Sequence, residues 1–400
     1  MRAENRTIAR FNRWLMLAGI ATGAVFIATT ASLFAGTGRW RPFDNSPPVA
    51  ALELASTTPP VFVVTHLPTP ESVRAIYLTS WVAGTVPRRA ELVKLIDETE
   101  LNAVVIDIKD YTGRIAFAVD DPLLIAGGAV ENRIPDIREF IGELHARGIY
   151  VIGRISVFQD VFLAKARPEL AVTRRSDGAV WRDRKGIAWL EPGATEVWDY
   201  IVRLARAAYA VGFDELNFDY IRFPSDGEMK DIAYRFSDLT VETRVSVLKK
   251  FFAYLQQELS ALDAPRSIDL FGLTTTAFDD LGIGQVLMEA APYFDYLAPM
   301  VYPSHFAAGF LNFSNPADHP YEVVKHSLIV AGTRLTAASS TASKLRPWLQ
   351  DFDLGADYTA ALVRAQIQAA AEAGLTSWML WSPSNRYTRA ALDSIKGSDL

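Results

Sequence analysis

The run 215–223 reads ELNFDYIRF. Side chains of a strand alternate between its two faces, so Leu216, Phe218 and Tyr220 share one face and Asn217 and Asp219 the other. An aromatic face suits packing against helices, which sends Asn217 and Asp219 to the opposite, inner side. The same alternation puts Val105, Asp107 and Lys109 on one face of the run 103–109, with Asp110 in the loop that follows. It groups Ile152 with Arg154 and Ser156, and Arg346 with Trp348 and Gln350. Charges inside a sheet are costly unless paired or used. Polar residues at the ends of several different strands therefore read as a site.

Two carboxyl groups flanking a bond are what glycosidic hydrolysis needs: one protonates the leaving oxygen, the other attacks or activates water. Asp219, near the bases Arg222, Arg154 and Lys109, suits the nucleophile or base. The acid is expected from Asp280 or Asp279, which follow the fifth apolar run, with Asp107 and Asp110 in reserve. The competing readings are structural. Asp279 and Asp280 could cap a helix beginning near Gly284, and Asp107 could be an ion-pair partner of Lys109 or Arg154. Sugar rings stack on aromatic side chains. Trp81, Tyr302, Trp348, Trp378 and Trp381 stand at or near run ends, and Trp181 and Trp189 lie in the long segment after the third run. Aromatic residues also fill cores. Trp348 is favoured as a stacking residue because it shares a face with Gln350. Tyr302 and His305, in the stretch YPSH, are further candidates for substrate contact.

Other chemistries are excluded or disfavoured. There are no cysteines, so disulfides, thiolate metal sites and Cys nucleophiles are absent. The five histidines lack zinc-site spacing, and there is no G-x-S-x-G elbow. Neither a metal nor a cofactor is expected. The net charge of −6, with no long basic run beyond the N-terminus, argues against a nucleic-acid partner.

The elements that must position these residues alternate. Apolar, β-rich runs occur at 75–81, 103–109, 150–158, 215–223, 268–277, 296–302, 345–352 and 376–382. Helical patterns lie between them at 88–100, 136–147, 195–211, 239–262, 321–336 and 358–373, with Gly148, Gly212 and Gly374 at helix ends. This order predicts a (β/α)8 TIM barrel over residues 73–395. An open doubly wound sheet would carry a Gly-rich phosphate turn after its first strand, and residues 81–85 (WVAGT) are not one.

Upstream, Arg2, Arg6, Arg10 and Arg13 precede an uncharged stretch from Trp14 to Ala35. As a helix it would be about 33 Å long, enough to span a bilayer. Residues 1–13 are expected in the cytoplasm, 14–36 as an uncleaved transmembrane signal anchor, and 37–72, rich in Pro and Thr, as a tether. A cleaved signal peptide is the rival reading. The barrel is then expected outside the cytoplasm, periplasmic or extracellular.

The motifs GFDELNFDYIRFPSDG (212–227), VIDIKD (105–110), GIGQ (282–285), APMVYPSH (298–305), RPWLQDF (346–352) and WMLWS (378–382) together resemble a bacterial family of "putative glycoside hydrolases", uncharacterised TIM barrels often found behind an N-terminal anchor. The resemblance runs from about residue 73 to 390. It implies distant similarity to α-amylase-like and α-galactosidase-like barrels, which place a catalytic Asp at the end of the fourth strand, here Asp219. Amylase-like barrels end the fifth strand with a Glu, where this chain offers Asp279 and Asp280. Chitinase-type barrels carry a Glu where this chain has Ile221. The expectation is a glycosidase acting on a cell-envelope or extracellular polysaccharide. The alternative is a non-catalytic glycan-binding or envelope-scaffold protein on the same barrel.

Overall fold

The computed structural model describes residues 63–394. The expected cytoplasmic segment 1–13, the anchor 14–36 and most of the tether lie outside them. Among the described residues no helix is long and apolar enough to cross a membrane.

Eight parallel strands close a barrel: β1 (Arg74–Leu78), β2 (Ala103–Lys109), β3 (Tyr150–Ser156), β4 (Glu215–Asp219), β5 (Arg266–Phe271), β6 (Tyr296–Met300), β7 (Trp348–Gln350) and β8 (Trp378–Trp381). Each pairs with its neighbours in chain order, and β8 closes on β1. The outer layer holds α1 (Val86–Asp97), α2 (Ile137–Ala146), α3 (Thr195–Tyr209), α4 (Arg244–Glu258), α5 (Pro320–Ala337) and α6 (Ala360–Glu372). Each buries one stripe. In α3 the buried set is Val197, Trp198, Ile201, Val202, Leu204, Ala205 and Ala208, the three-to-four-residue spacing of an amphipathic helix. Just beyond α2, α3 and α6, Gly148, Gly212 and Gly374 take φ of 71°, 117° and 84°, values that side chains with a Cβ rarely adopt. The β5–β6 crossover has only a four-residue helix, Leu287–Ala290, and β8 is followed by a single 3-10 turn.

Two apolar layers hold this together. The larger lies between strands and helices and includes Leu216, Phe218, Ile268 and Leu270. The smaller fills the lumen with Val73, Tyr77, Val105, Ile152, Tyr302, Trp348 and Met379, and Leu67 packs against it. The last part of the predicted tether is thus no free spacer. The Leu67 amide donates to Asp214, His66 stacks on Tyr209, and Thr69 meets the Tyr150 hydroxyl, all at the amino-terminal end of the barrel.

Several predicted runs continue past their strands. β4 stops at Asp219 because Tyr220 turns left-handed, with φ 48°, and β5 gives way to a 3-10 turn at Gly272–Thr275. A finer departure is in β2. Its pairing with β3 skips a residue, Asp107 facing Arg154 and Lys109 facing Ile155. Such a bulge reverses the alternation beyond it. Lys109 therefore does not share the face of Asp107, contrary to the period-two expectation. It sits fully buried in the helix layer, where its Nζ pairs with Asp160 at 2.7 Å.

Candidate active site

The carboxyl ends of the strands carry the site. Asp219 is the last residue of β4. Its Oδ1 accepts from the Tyr220 amide at 2.5 Å, and the Val157 amide after β3 donates to its carbonyl at 2.8 Å. These bonds hold Tyr220 in a backbone region that a bulky side chain seldom occupies, and such strained residues concentrate at functional sites. On β5, Asp269 follows Ile268, which pairs with Phe218. The two aspartates therefore stand at one level on adjacent strands, both turned inward.

Arg154 of β3 links them. Its Nη1 donates to Asp107 Oδ1 at 2.7 Å, its Nη2 pairs with Asp219, and its Nε lies 3.7 Å from Asp269 Oδ2. Tyr77 adds a hydroxyl to Asp107 at 2.5 Å. One guanidinium cannot neutralise three buried carboxylates, and isolated buried charge is expensive. Part of the cost falls on Asp269. Burial, and then the charge of Asp219, raises its pKa from the ordinary carboxylate range to about 8. Its Oδ1 accepts from Asn217 at 2.9 Å and from the Trp348 indole at 2.8 Å, while its Oδ2 has no hydrogen-bond partner. The buried hydroxyl of Tyr302 is also unpartnered. Both residues border a cavity of about 440 Å³ that Arg154, Asp219, Tyr220, Arg222 and Trp381 also line. That volume lies within the ~300–1,000 Å³ of ordinary ligand clefts. Both unsatisfied atoms are themselves buried beneath the cavity surface.

The expected residues divide into four groups. Asp219, Arg154, Arg222, Tyr302, His305 and Trp381 border the cavity. Trp381 stacks on Tyr77 at 4.0 Å. His305 stands at the mouth, where burial and then the charge of Lys185 lower its pKa.

A second group supports the wall without reaching the cavity. Asp107 lies against Arg154 and Tyr77, its pKa raised by burial despite both. Asn217 holds Ser267 and Asp269. Gln350 accepts from the Ser304 amide at 3.2 Å and so fixes the loop bearing Tyr302 and His305. Trp348 is 0% exposed and gives its indole N–H to Asp269. It is a positioning residue, not a stacking surface for sugar, because the lumen core closes over both faces.

A third group lies on the rim beside the cavity. Asp110 pairs with Arg133 at 2.8 Å, and the Arg133 guanidinium covers the Trp81 ring at 4.4 Å. Lys109 belongs to neither rim nor cavity, for the reason given by the bulge.

The last group is Asp279 and Asp280, which stand in the β5–β6 loop away from Asp219. Asp280 accepts from the Gly282 and Gly284 amides and Asp279 from the Leu281 amide. They line a separate surface recess with Glu242, Arg244 and Glu289. Their bonds are those of turn formation, and the carboxyl group that does stand beside Asp219 is that of Asp269, inside the strand. Alternation had a signal for it: an Asp between Ile268 and Leu270 in an apolar run must face inward. Trp181 and Trp189 are fully buried in the excursion between β3 and α3.

A closed barrel of eight parallel strands with a cavity at their carboxyl ends defines the TIM-barrel class. Residues 75–387 match the family described as "Putative glycosyl hydrolase domain", so the chain belongs to that family and to the glycoside hydrolase class of enzymes. No curated protein matches it significantly. Among solved structures, the glycoside hydrolase domain of PgaB (BpsB) from Bordetella bronchiseptica aligns with a TM-score of 0.60 at 13% identity, over 82% of this chain and 100% of that one. At this identity the likeness is one of fold. A hypothetical protein from Ruminiclostridium thermocellum is 32% identical over 52% of this chain and 98% of its own, with a TM-score of 0.45. The α-galactosidase TtGalA from Thermus thermophilus is 14% identical over 80% and 59%, with a TM-score of 0.49.

Proposed function

We propose that this protein hydrolyses glycosidic bonds of a cell-envelope or extracellular polysaccharide with Asp269 as general acid and Asp219 as nucleophile. One observation carries the assignment: Asp219 and Asp269 share Arg154, and burial and the charge of Asp219 lift the pKa of Asp269 to about 8. A carboxyl group that keeps its proton at neutral pH suits the role of acid. Asp269 gives its proton to the glycosidic oxygen as the bond to the anomeric carbon breaks. Asp219 attacks that carbon, and Arg154 holds it in line. Asp269, now a carboxylate, takes a proton from the water that releases the sugar from Asp219. Tyr302 and Trp381 supply a hydroxyl and a ring face to the bound saccharide.

The full chain with Asp219→Asn should fold as the wild type does, by circular dichroism, and release no reducing ends from a polysaccharide that the wild type degrades. Undiminished release would refute the role of Asp219. The ion pair between Asp219 and Arg154 favours a second reading, a binding protein in which the carboxylate is fully occupied. Saturable oligosaccharide binding without any product from the wild type would establish it.

The proposal includes an anchor at 14–36 and a location outside the cytoplasm. In support, the described chain joins the barrel at the end opposite the cavity, through Leu67 and Asp214. Fractionation of the full chain into the soluble fraction would overturn the anchor.

A further inference from the structure

We propose that the substrate is an acidic saccharide, whose ring carboxylate is bound by Arg222 with Lys185 at the cavity mouth. The inference rests on the hydrolase reading of the same cavity but comes from a different set of contacts.

Arg222 is held in place without an ion pair among the described residues. Its Nη1 donates to the Phe223 carbonyl at 3.0 Å and to Ser225 Oγ at 3.2 Å. Its guanidinium carbon lies 4.9 Å from the Trp189 ring, 5.8 Å from Tyr220 and 5.7 Å from Phe271. Nε and Nη2 have no acceptor among the described residues, and neither is sealed from solvent. No described carboxylate comes within 4.0 Å of it; the nearby Asp219, Asp183 and Asp226 form no ion pair with it. Arg154, by contrast, already has Asp107 and Asp219. The flanking rings stabilise the guanidinium, and its unpaired N–H edge is left to meet an anionic group of a ligand.

Lys185 is brought to the same place by a built loop. The amides of Lys185 and Ile187 both donate to Asp183 Oδ1 at 2.9 Å, and Asp183 Oδ2 accepts from the indole of Trp189 at 3.1 Å. The ring that flanks Arg222 therefore also fixes the loop carrying Lys185. Lys185 lines the cavity, and among the described residues it has no ion-pair partner. Two cations without an ion pair among the described residues thus border a cavity in which Asp219 is paired with Arg154. The free Nε–Nη2 edge presents two parallel N–H groups, the pattern that matches a planar carboxylate.

The test is calorimetric binding to the full chain carrying Asp269→Asn, which suppresses cleavage and leaves the Arg154–Asp219 pair in place. The probes are tetrasaccharides of galacturonate, glucuronate and mannuronate, their carboxyl-reduced counterparts, and a sulfated neutral tetrasaccharide. At least one uronate should bind tenfold or more tighter than its reduced form. Arg222→Gln should erase that preference, and Lys185→Gln, on an exposed loop where folding is not at stake, should reduce it several-fold. Equal binding of reduced and unreduced sugars, a preference unchanged in Lys185→Gln, or binding of the sulfated probe alone would each overturn the inference. Cleavage of a neutral polysaccharide by the wild type, without uronate binding, would overturn it and leave the hydrolase standing. Uronate binding with no cleavage of any substrate would do the reverse.

Discussion

Asp219 and Asp269 stand side by side on β4 and β5 with the guanidinium of Arg154 reaching both, by Nη2 to the first and by Nε, at 3.7 Å, to the second. Three structural consequences of burying this group can be measured, and one stereochemical consequence.

Asp269→Asn should reduce turnover by at least about a thousandfold, since no proton is left for the leaving oxygen, and yet stabilise the fold. A buried carboxyl whose folded pKa of about 8 exceeds its unfolded value destabilises the native state increasingly as pH rises between the two. The wild type should therefore lose activity as pH rises through about 8, as Asp269 ionises. The variant's melting temperature should exceed the wild type's at pH 7 and approach it near pH 4. A lower melting temperature at pH 7 would show that Asp269 is charged and paired in the folded protein.

Trp348→Phe keeps the ring in the lumen but removes the N–H donated to Asp269 Oδ1 at 2.8 Å. That bond favours the ionised carboxylate, so its loss raises the pKa of Asp269 further. The alkaline limb of the pH–rate profile should move to higher pH. An unmoved limb would assign it to another group.

Arg154→Gln leaves Asp107, Asp219 and Asp269 buried together without a cation. Breaking a buried ion pair from one side costs about 3–5 kcal/mol. Denaturant unfolding at pH 7 should show a loss of that order, shrinking as pH falls and the carboxyl groups take up protons. A loss independent of pH would mean that packing, not charge, is what Arg154 provides.

Neighbouring strands lie about 4.8 Å apart, and the two carboxyl groups occupy the same level. Retaining glycosidases hold theirs about 5–5.5 Å apart, while inverting ones leave about 6.5–9.5 Å for a water. Proton NMR of the first-formed product should show the substrate's anomeric configuration. Inversion would make Asp219 a base rather than a nucleophile.

Much of this was legible in the sequence because strands and helices are written in local periods. The alternation in 215–223 is enough to turn Asn217 and Asp219 inward and Leu216 and Phe218 toward the helices. The order of runs is enough for eight strands and a closed barrel. Period two fails where the backbone departs from it. The bulge after Asp107 carries Lys109 to the helix side, and no residue type in the motif marks it. Asp279 and Asp280 drew attention as a carboxylate pair after a strand, yet bond only the amides of their own loop. Asp269, one residue among apolar neighbours, was the signal that mattered.

What the sequence determined alone is which side chains face the lumen wherever a strand stays regular, and in what order the strands come, since both follow from the local residue pattern. Tertiary structure decided which of those side chains meet. Arg154, Asp219, Asp269 and Trp348 lie on four strands, and their contacts arise from the register between strands and from barrel closure. The burial that raises the pKa of Asp269 exists only when all four are assembled, because desolvation is a property of the surroundings and not of the residue.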